Sequence, residues 1–414
     1  MHPQPANAAR SSAPRIIVQK YGGSSVADVA RLGRVADRVA ATRRAGFDVV
    51  VVVSAMGKTT DGLMTLAREV ARQGGQPDDD GDPPRRALDM LVSTGERVSM
   101  SLLSIAIQAR GLDAICFTGS QSGIITNDRH FDARIIEVRP HRIEDELARG
   151  RVVIGAGYLG MSSKREITTL GRGGTDTTAV ALAAALDAVR CEIYSDVDGV
   201  YSADPRLVAD AVHLPEVDYE TLQEMAEAGA KVVCAQAVEW ARRSGVAIYA
   251  RSTFDPIAAE PRQTIVRRFA PPETPRARAV TTDGALALLE TKGGALGAVL
   301  GCLAPHAVPV REIWVGGDDE PARVMVSLRN APEFGRAEAD LVARGGVVVR
   351  RDVTVVSVIG AGLGERAERV LAFHRRLARE RVVFASASPL RLSAGVVTAD
   401  VTPLVADLHA AFVA

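Results

Sequence analysis

Five consecutive valines at positions 49–53, set between Asp48 and Ser54, constrain this chain first. A run that is apolar at every position, and not at alternate ones, belongs to a strand covered on both faces, which occurs in the middle of an α/β sheet. Residues 16–20 and 152–156 read as strands of the same kind. Each ends in a loop of glycines and small residues: Tyr21-Gly-Gly-Ser-Ser25, Ala55-Met-Gly-Lys-Thr-Thr60 and Gly157-Tyr-Leu-Gly160. Amphipathic helices follow the first two loops. Strands alternating with helices imply a doubly wound, mostly parallel sheet with helices on both faces. Ligands of such sheets bind beyond the carboxyl ends of the strands, where Lys20 stands.

The stretch 166–206 organises the rest. Its centre, Thr169-Leu-Gly-Arg-Gly-Gly-Thr-Asp176, places three glycines in four positions before Thr175, Asp176, Thr177 and Thr178, and the helix former Ala-Val-Ala-Leu-Ala-Ala-Ala-Leu186 comes next. A glycine loop feeding a helix N-terminus is an anion site, because unpaired N–H groups and the positive end of the helix dipole point the same way. Such a loop is sometimes only a tight strand-to-helix turn. Here a further strand at 191–194 leads into Ser195-Asp-Val-Asp-Gly-Val-Tyr-Ser-Ala-Asp-Pro-Arg206, which offers acids, an aromatic and an arginine at another strand end.

Along the rest of the chain, residues 1–14 read as a disordered tail and 74–86 as an exposed loop. A helical pattern over 86–109 is interrupted at Ser93-Thr-Gly-Glu96. Strands are expected at 114–117 and 135–138, with helices at 143–148 and 235–244. Residues 246–251 read as the last strand of the sheet, and 255–282, rich in proline and aperiodic, as a connection. Beyond it the order βαββαβ appears at 283–353 and recurs over 354–414, which makes a repeat of two ferredoxin-like units. The expected domains are a catalytic unit at 15–265, a linker at 266–282 and the two repeats.

Formal charge sums to zero over 414 residues, so bulk electrostatics ask for neither nucleic acid nor an anionic membrane. No run reaches the ~18 apolar residues of a membrane span, and no signal-peptide core begins the chain; a cytoplasmic protein is expected. Cys116, Cys191, Cys234 and Cys302 are far apart and read as buried structural thiols. Only five of the 50 basic residues are lysine (Lys20, Lys58, Lys164, Lys231 and Lys292), which marks each as a position where a compact ammonium is wanted.

Together, Lys20-Tyr-Gly-Gly-Ser-Ser-Val26, Ser54-Ala-Met-Gly-Lys-Thr-Thr60, Ser93-Thr-Gly-Glu96, Thr169–Asp176 and 194–206 resemble the aspartate kinases of the amino-acid kinase superfamily, in that family's order and spacing. The match is close over 15–254, whereas the C-terminal half resembles the family's paired ACT domains in pattern only. The resemblance implies an amino-acid kinase fold followed by two ACT domains. It also implies transfer of the γ-phosphoryl group of ATP, with Mg²⁺, to the side-chain carboxylate of L-aspartate, at the head of lysine, threonine and methionine biosynthesis. By the same resemblance Lys20, Lys231 and Asp176 are catalytic, and Ser54, Thr60, Glu96, Arg172 and Thr175 hold aspartate. Gly22, Gly23, Ser24, Gly173, Gly174, Ser195, Asp196, Tyr201 and Arg206 hold the nucleotide. No metal-ligand residues are assigned, since Mg²⁺ carried by phosphates and water needs no protein cage. The ACT domains imply a homo-oligomer, a dimer or tetramer, and a possible amino-acid effector.

The residues suit that chemistry. A carboxylate of pKa ~3.9 is already ionised, so no base is needed, and none of the seven histidines falls in these motifs. The difficulty is an anion approaching a polyanion, which positioning and fixed positive charge must solve. Two departures stand out. Val232-Val-Cys-Ala-Gln-Ala237 lacks the family's His-Pro or Gln-Pro wording, and the ACT loops Thr291-Lys-Gly-Gly-Ala295 and Gly360-Ala-Gly-Leu-Gly-Glu365 lack Pro-Gly-Val. Feedback control by lysine or threonine is therefore left open. So are a kinase for another small carboxylate and a non-catalytic amino-acid sensor, although Glu96 with Arg172 suits an α-amino acid.

Overall fold

A computed structural model describes residues 15–73, 83–257, 260–269 and 276–413, apart from 316, 318, 330 and 332. The predicted tail at 1–14 and most of the predicted loop at 74–86 lie outside the described residues. The central sheet has eight strands in the order Glu216–Val217, Gln263–Val266, Ile248–Ser252, Arg190–Ser195, Ile16–Tyr21, Asp48–Val53, Val152–Ala156, Ala114–Phe117. Neighbours are parallel except Ile248–Ser252 with Gln263–Val266.

The valine run behaves as its composition requires. All five side chains are fully buried. Val50 and Val52 pack on one face with Val180 and Leu182 of the helix Gly174–Ala185. Val49, Val51 and Val53 pack on the other with Leu32 and Val35 of Val29–Arg44 and Leu103 of Arg85–Gln108. Strand order reverses around Ile16–Tyr21, whose neighbours are the next strand in sequence and a much later one. That is the switch point where a crevice opens at the carboxyl ends.

Four expectations need correction. The helix Arg85–Gln108 runs unbroken through 93–96. Gly95 is there because of packing: a Cβ on it would lie 2.8 Å from Ala55 Cβ, so the helix abuts the loop after the valine strand. Second, Ile248–Ser252 is not the last strand, since Gln263–Val266 adds to it antiparallel. Third, a small sheet of Ile124–Thr126, Ile135–Val138, Leu159–Ser162 and Ile167–Thr169 stands beside the crevice, of which only the second strand is legible in sequence.

Fourth, the predicted linker at 266–282 contains a strand, Arg276–Asp283, paired antiparallel with Thr354–Ala361. The first C-terminal unit is complete, with sheet order Val310–Trp314, Pro321–Ser327, Leu286–Lys292, Val348–Arg350. The second ends on the helix Thr402–Phe412, so it has no closing strand of its own. Arg276–Asp283 fills that edge, giving the order Arg276–Asp283, Thr354–Ala361, Arg391–Val397, Arg381–Ser388. The first unit is thus inserted into the second.

Candidate active site

Lys20 leaves the end of its strand into the crevice, buried, with Nζ 2.7 Å from Asp176 Oδ1. Asp176 sits in the first turn of Gly174–Ala185, whose N-cap Gly173 takes the left-handed φ of +76°. The glycines here are needed for closeness. A Cβ on Gly173 would lie 2.4 Å from Cys234 Cβ, and one on Gly23 2.9 Å from the Ala55 carbonyl oxygen. The Cys234 thiol donates to the Gly173 carbonyl at 3.1 Å, so the segment 232–237, whose wording departs from the resembled family, braces the glycine loop. Burial pushes that thiol up to about 11, which leaves it a packing group.

A cleft of about 560 Å³ opens beside the pair. Its walls bring together five residues assigned to the acceptor: Ser54, Thr60, Glu96, Arg172 and Thr175, with Gly23, Gly173 and Gly174. Ser54 Oγ and Thr175 Oγ1 are 2.8 Å apart. Glu96 accepts from the Ala55 N–H at 3.1 Å through Oε1, whereas Oε2 is buried with no hydrogen-bond partner among the described residues. Burial in this wall pushes its carboxyl up to about 7. A carboxylate so placed is satisfied by a cation arriving in the cleft.

The nucleotide candidates lie along the next strand end. Tyr194 pairs in register with Tyr21, which puts Ser195 and Asp196 beside the Lys20 loop. Gly22 and Ser24 belong to that loop: a Cβ on Gly22 would lie 3.5 Å from Lys20 Nζ, and the Ser24 carbonyl accepts from Arg31 at 2.6 Å. Tyr201 donates to Asp198 at 2.8 Å, and the Arg262 guanidinium stacks over the Tyr201 ring. Arg206 forks onto Asp204 at 2.9 and 2.6 Å. It holds that carboxyl below its usual range, with a smaller contribution from Lys231. Lys231 is exposed and close enough to this segment to act on the Asp204 carboxyl.

Sequence reasoning missed four contributors. Lys58, marked in the sequence only by the rarity of lysine, lines the cleft. Phe131 and Tyr158 also line it, and both hold φ of +68°. Arg262 lies in the stretch expected to be a connection, and no local pattern marks it.

The amino acid kinase family model matches residues 15–252. The aspartokinase of Mycolicibacterium smegmatis is 53% identical over 240 residues, 58% of this chain and 55% of that protein, so the chain spans little more than half the length of that relative. The aspartokinase of Thermus thermophilus is 40% identical over 367 residues, 85% of this chain and 87% of that one. Among solved structures, E. coli aspartokinase III in complex with aspartate and ADP superposes with a TM-score of 0.81 at 27% identity, covering 96% of this chain and 99% of that one. The same enzyme in complex with lysine and aspartate gives 0.72, also at 27% identity, covering 96% and 100%.

Proposed function

Because the chain belongs to the amino acid kinase family and, within it, to the aspartokinases, we propose that it transfers the γ-phosphoryl group of ATP to the side-chain carboxylate of L-aspartate, giving 4-phospho-L-aspartate and ADP. The observation that carries this reading is the unpartnered buried Oε2 of Glu96 in a cleft that also presents Arg172. An α-ammonium answers the first and an α-carboxylate the second.

The acceptor oxygen forms a bond to the γ-phosphorus while the bond to the bridging oxygen breaks, and its electron pair leaves with ADP. No proton has to be removed. The protein's part is to bring two anions together and hold the transferring group in line. Lys20 supplies the fixed cation, held in place before substrate arrives by Asp176. The N-terminal turn of Gly174–Ala185 supplies the positive end of its dipole. Ser54 and Thr175 present hydroxyls to the acceptor. Ser195, Asp196, Tyr201, Arg206 and Lys231 form the nucleotide side.

Mg²⁺ carried on the nucleotide's own phosphates and water would need no cage of protein ligands. When bound there it supplies charge neutralisation between the β- and γ-phosphates. The two C-terminal units are read as the assembly part, joining copies into a homo-oligomer and taking an amino-acid effector, as lysine is bound by the E. coli relative.

Hydroxylamine traps acyl phosphates as hydroxamates, which gives the test. With ATP, Mg²⁺ and hydroxylamine, aspartate should yield hydroxamate and other small acids little. A signal from another acid in place of aspartate would reassign the substrate, and no signal from any would leave a sensor. Titrating lysine, threonine and methionine into the same assay tests the effector.

A further inference from the structure

Asp89 has no solvent exposure and lies in the second turn of Arg85–Gln108, two helical turns before Glu96 and on the same face. Its carboxylate gathers donors from two other segments. His130 Nδ1 lies 2.5 Å from Oδ2, the Phe131 N–H lies 3.1 and 3.3 Å from the two oxygens, and Thr169 Oγ1 donates to Oδ1 at 2.6 Å. Burying a carboxylate is costly unless its oxygens are filled in this way, so the site is built and not incidental.

What it holds is the aromatic wall of the cleft. Phe131 keeps a left-handed φ of +68°, which costs a non-glycine residue roughly 1–2 kcal/mol and persists only where the surroundings impose it. Asp89 imposes it through the Phe131 amide. Thr169, bound to the same carboxylate, opens the glycine motif that carries Arg172, and the Ala133 N–H bonds back to the Thr169 carbonyl at 2.8 Å. The Leu170 N–H bonds to the carbonyl of Tyr158, the second strained aromatic, at 3.0 Å. Phe131, Tyr158, Glu96 and Arg172 thus face one cleft and are tied to one buried acid.

Resting on the functional reading above, we propose that Phe131 is a specificity-determining residue, whose ring limits the length of the dicarboxylic amino acid that the cleft accepts, and that Asp89 is the positioning residue that fixes it there. With the α-ammonium and α-carboxylate held by Glu96 and Arg172, a five-carbon acceptor needs room for one more methylene, and a wall fixed at its backbone does not yield it. A methylene in such a pocket is worth roughly 10–200-fold in selectivity.

Phe131→Gly is the decisive variant, because glycine adopts the left-handed φ without strain, so the loop survives while the wall goes. The kcat/KM for glutamate relative to aspartate should rise at least about tenfold. Asp89→Asn, which disturbs the bonds to His130 and Phe131, should raise KM for aspartate roughly tenfold while kcat and KM for ATP stay near those of the parent, a split that general loss of structure does not produce. A folded Phe131→Gly protein with the parent's ratio overturns the proposal, whatever Asp89→Asn does. Should the unaltered protein form no aspartyl hydroxamate, the functional reading fails separately. The wall is then tested by calorimetric affinities for aspartate and glutamate in the two proteins, and an unchanged ratio again overturns it.

Discussion

The ammonium of Lys20 lies 2.7 Å from Asp176 Oδ1, and the two side chains are only 11% and 10% exposed. One comes from a strand end and the other from the first turn of a helix more than 150 residues later, so the pair staples the sheet to the glycine loop. Sequence alone places Lys20 at the chemistry and gives it little part in folding. Its burial beside Asp176 gives it both. Lys20→Met should lower kcat by roughly 10²–10³-fold, the loss typical of one preorganised electrostatic group. It should also cost about 3–5 kcal/mol of stability, because it strands a buried carboxylate. Lys20→Met with Asp176→Leu should recover much of the stability and none of the activity. Thermal melts beside the hydroxamate assay check this, and a single variant as stable as the parent would contradict it.

Glu96 gives the acceptor site a pH dependence. Burial raises its carboxyl from 4.5 to about 7, so in the free protein it holds a proton that the unfolded chain releases. Between pH 4.5 and 7 the folded state binds more protons, and stability therefore falls as pH rises through that window, by on the order of 3 kcal/mol in total. Only the ionised form pairs with an α-ammonium, so kcat/KM for aspartate should climb through pH 6–8 with an apparent pKa near 7. Glu96→Gln should abolish the climb, raise KM for aspartate by the equivalent of about 2–5 kcal/mol, and melt higher than the parent at pH 8. A variant that kept the parent's pH profile would place the ionisation elsewhere.

The glycines separate packing from propensity. In helix interiors, Gly to Ala normally gains up to about 1 kcal/mol. Gly62, in Thr59–Gln73, has nothing among the described residues within 4 Å of a Cβ, and Gly62→Ala should show that gain in thermal denaturation. Gly95→Ala should do the reverse, since its Cβ would meet Ala55 Cβ at 2.8 Å and push the loop that runs from Ser54 into the helix carrying Thr60. Lower stability with a raised aspartate KM is expected; a stabilised Gly95→Ala protein would show that helix and loop separate freely.

The parts of this molecule that are legible in sequence are those set by local rules. Val49 to Val53 announce a strand buried on both faces, and Gly171, Gly173 and Gly174 announce a tight turn into a helix, because hydrophobic period and backbone freedom are written where they act. Gly95 misleads for the complementary reason. A glycine reads as a break, yet here its missing side chain serves a neighbour some forty residues away. Arg276–Asp283 is invisible as the closing strand of the last domain, since its partner Thr354–Ala361 lies beyond a whole inserted unit and no local pattern encodes the pairing. Asp89 is unreadable too, because it passes for a helix-surface acid until the fold brings His130, Phe131 and Thr169 to it.

The segment 195–206 and the residues just after it are bound to the last domain by hydrogen bonds from Ser202 and by apolar packing. Ser202 Oγ lies 2.7 Å from His409 Nε2 in Thr402–Phe412, and the Ser202 carbonyl accepts from the Val280 N–H at 2.7 Å. Ala203 and Val208, just after it, pack into that domain's core with Leu404 and Leu408. Burial lowers the pKa of His409, while nearby Asp210 opposes the shift more weakly. The unfolded chain therefore takes up the proton at a higher pH than the folded one, and this contact's contribution to stability is present above the ordinary histidine pKa and lost as pH falls below it. Protonation also places a charge where the Ser202 hydroxyl is packed, so acid should loosen 195–206 in a step separate from, and at lower pH than, the protonation of Glu96 in the aspartate cleft. The expected signature is a KM for ATP that rises on acidification below the ordinary histidine pKa while KM for aspartate keeps the dependence set by Glu96. His409→Gln stays neutral and still reaches Ser202, so it should flatten the ATP curve; if the rise persisted in that variant, the acid-sensitive group would have to lie on another contact of the segment.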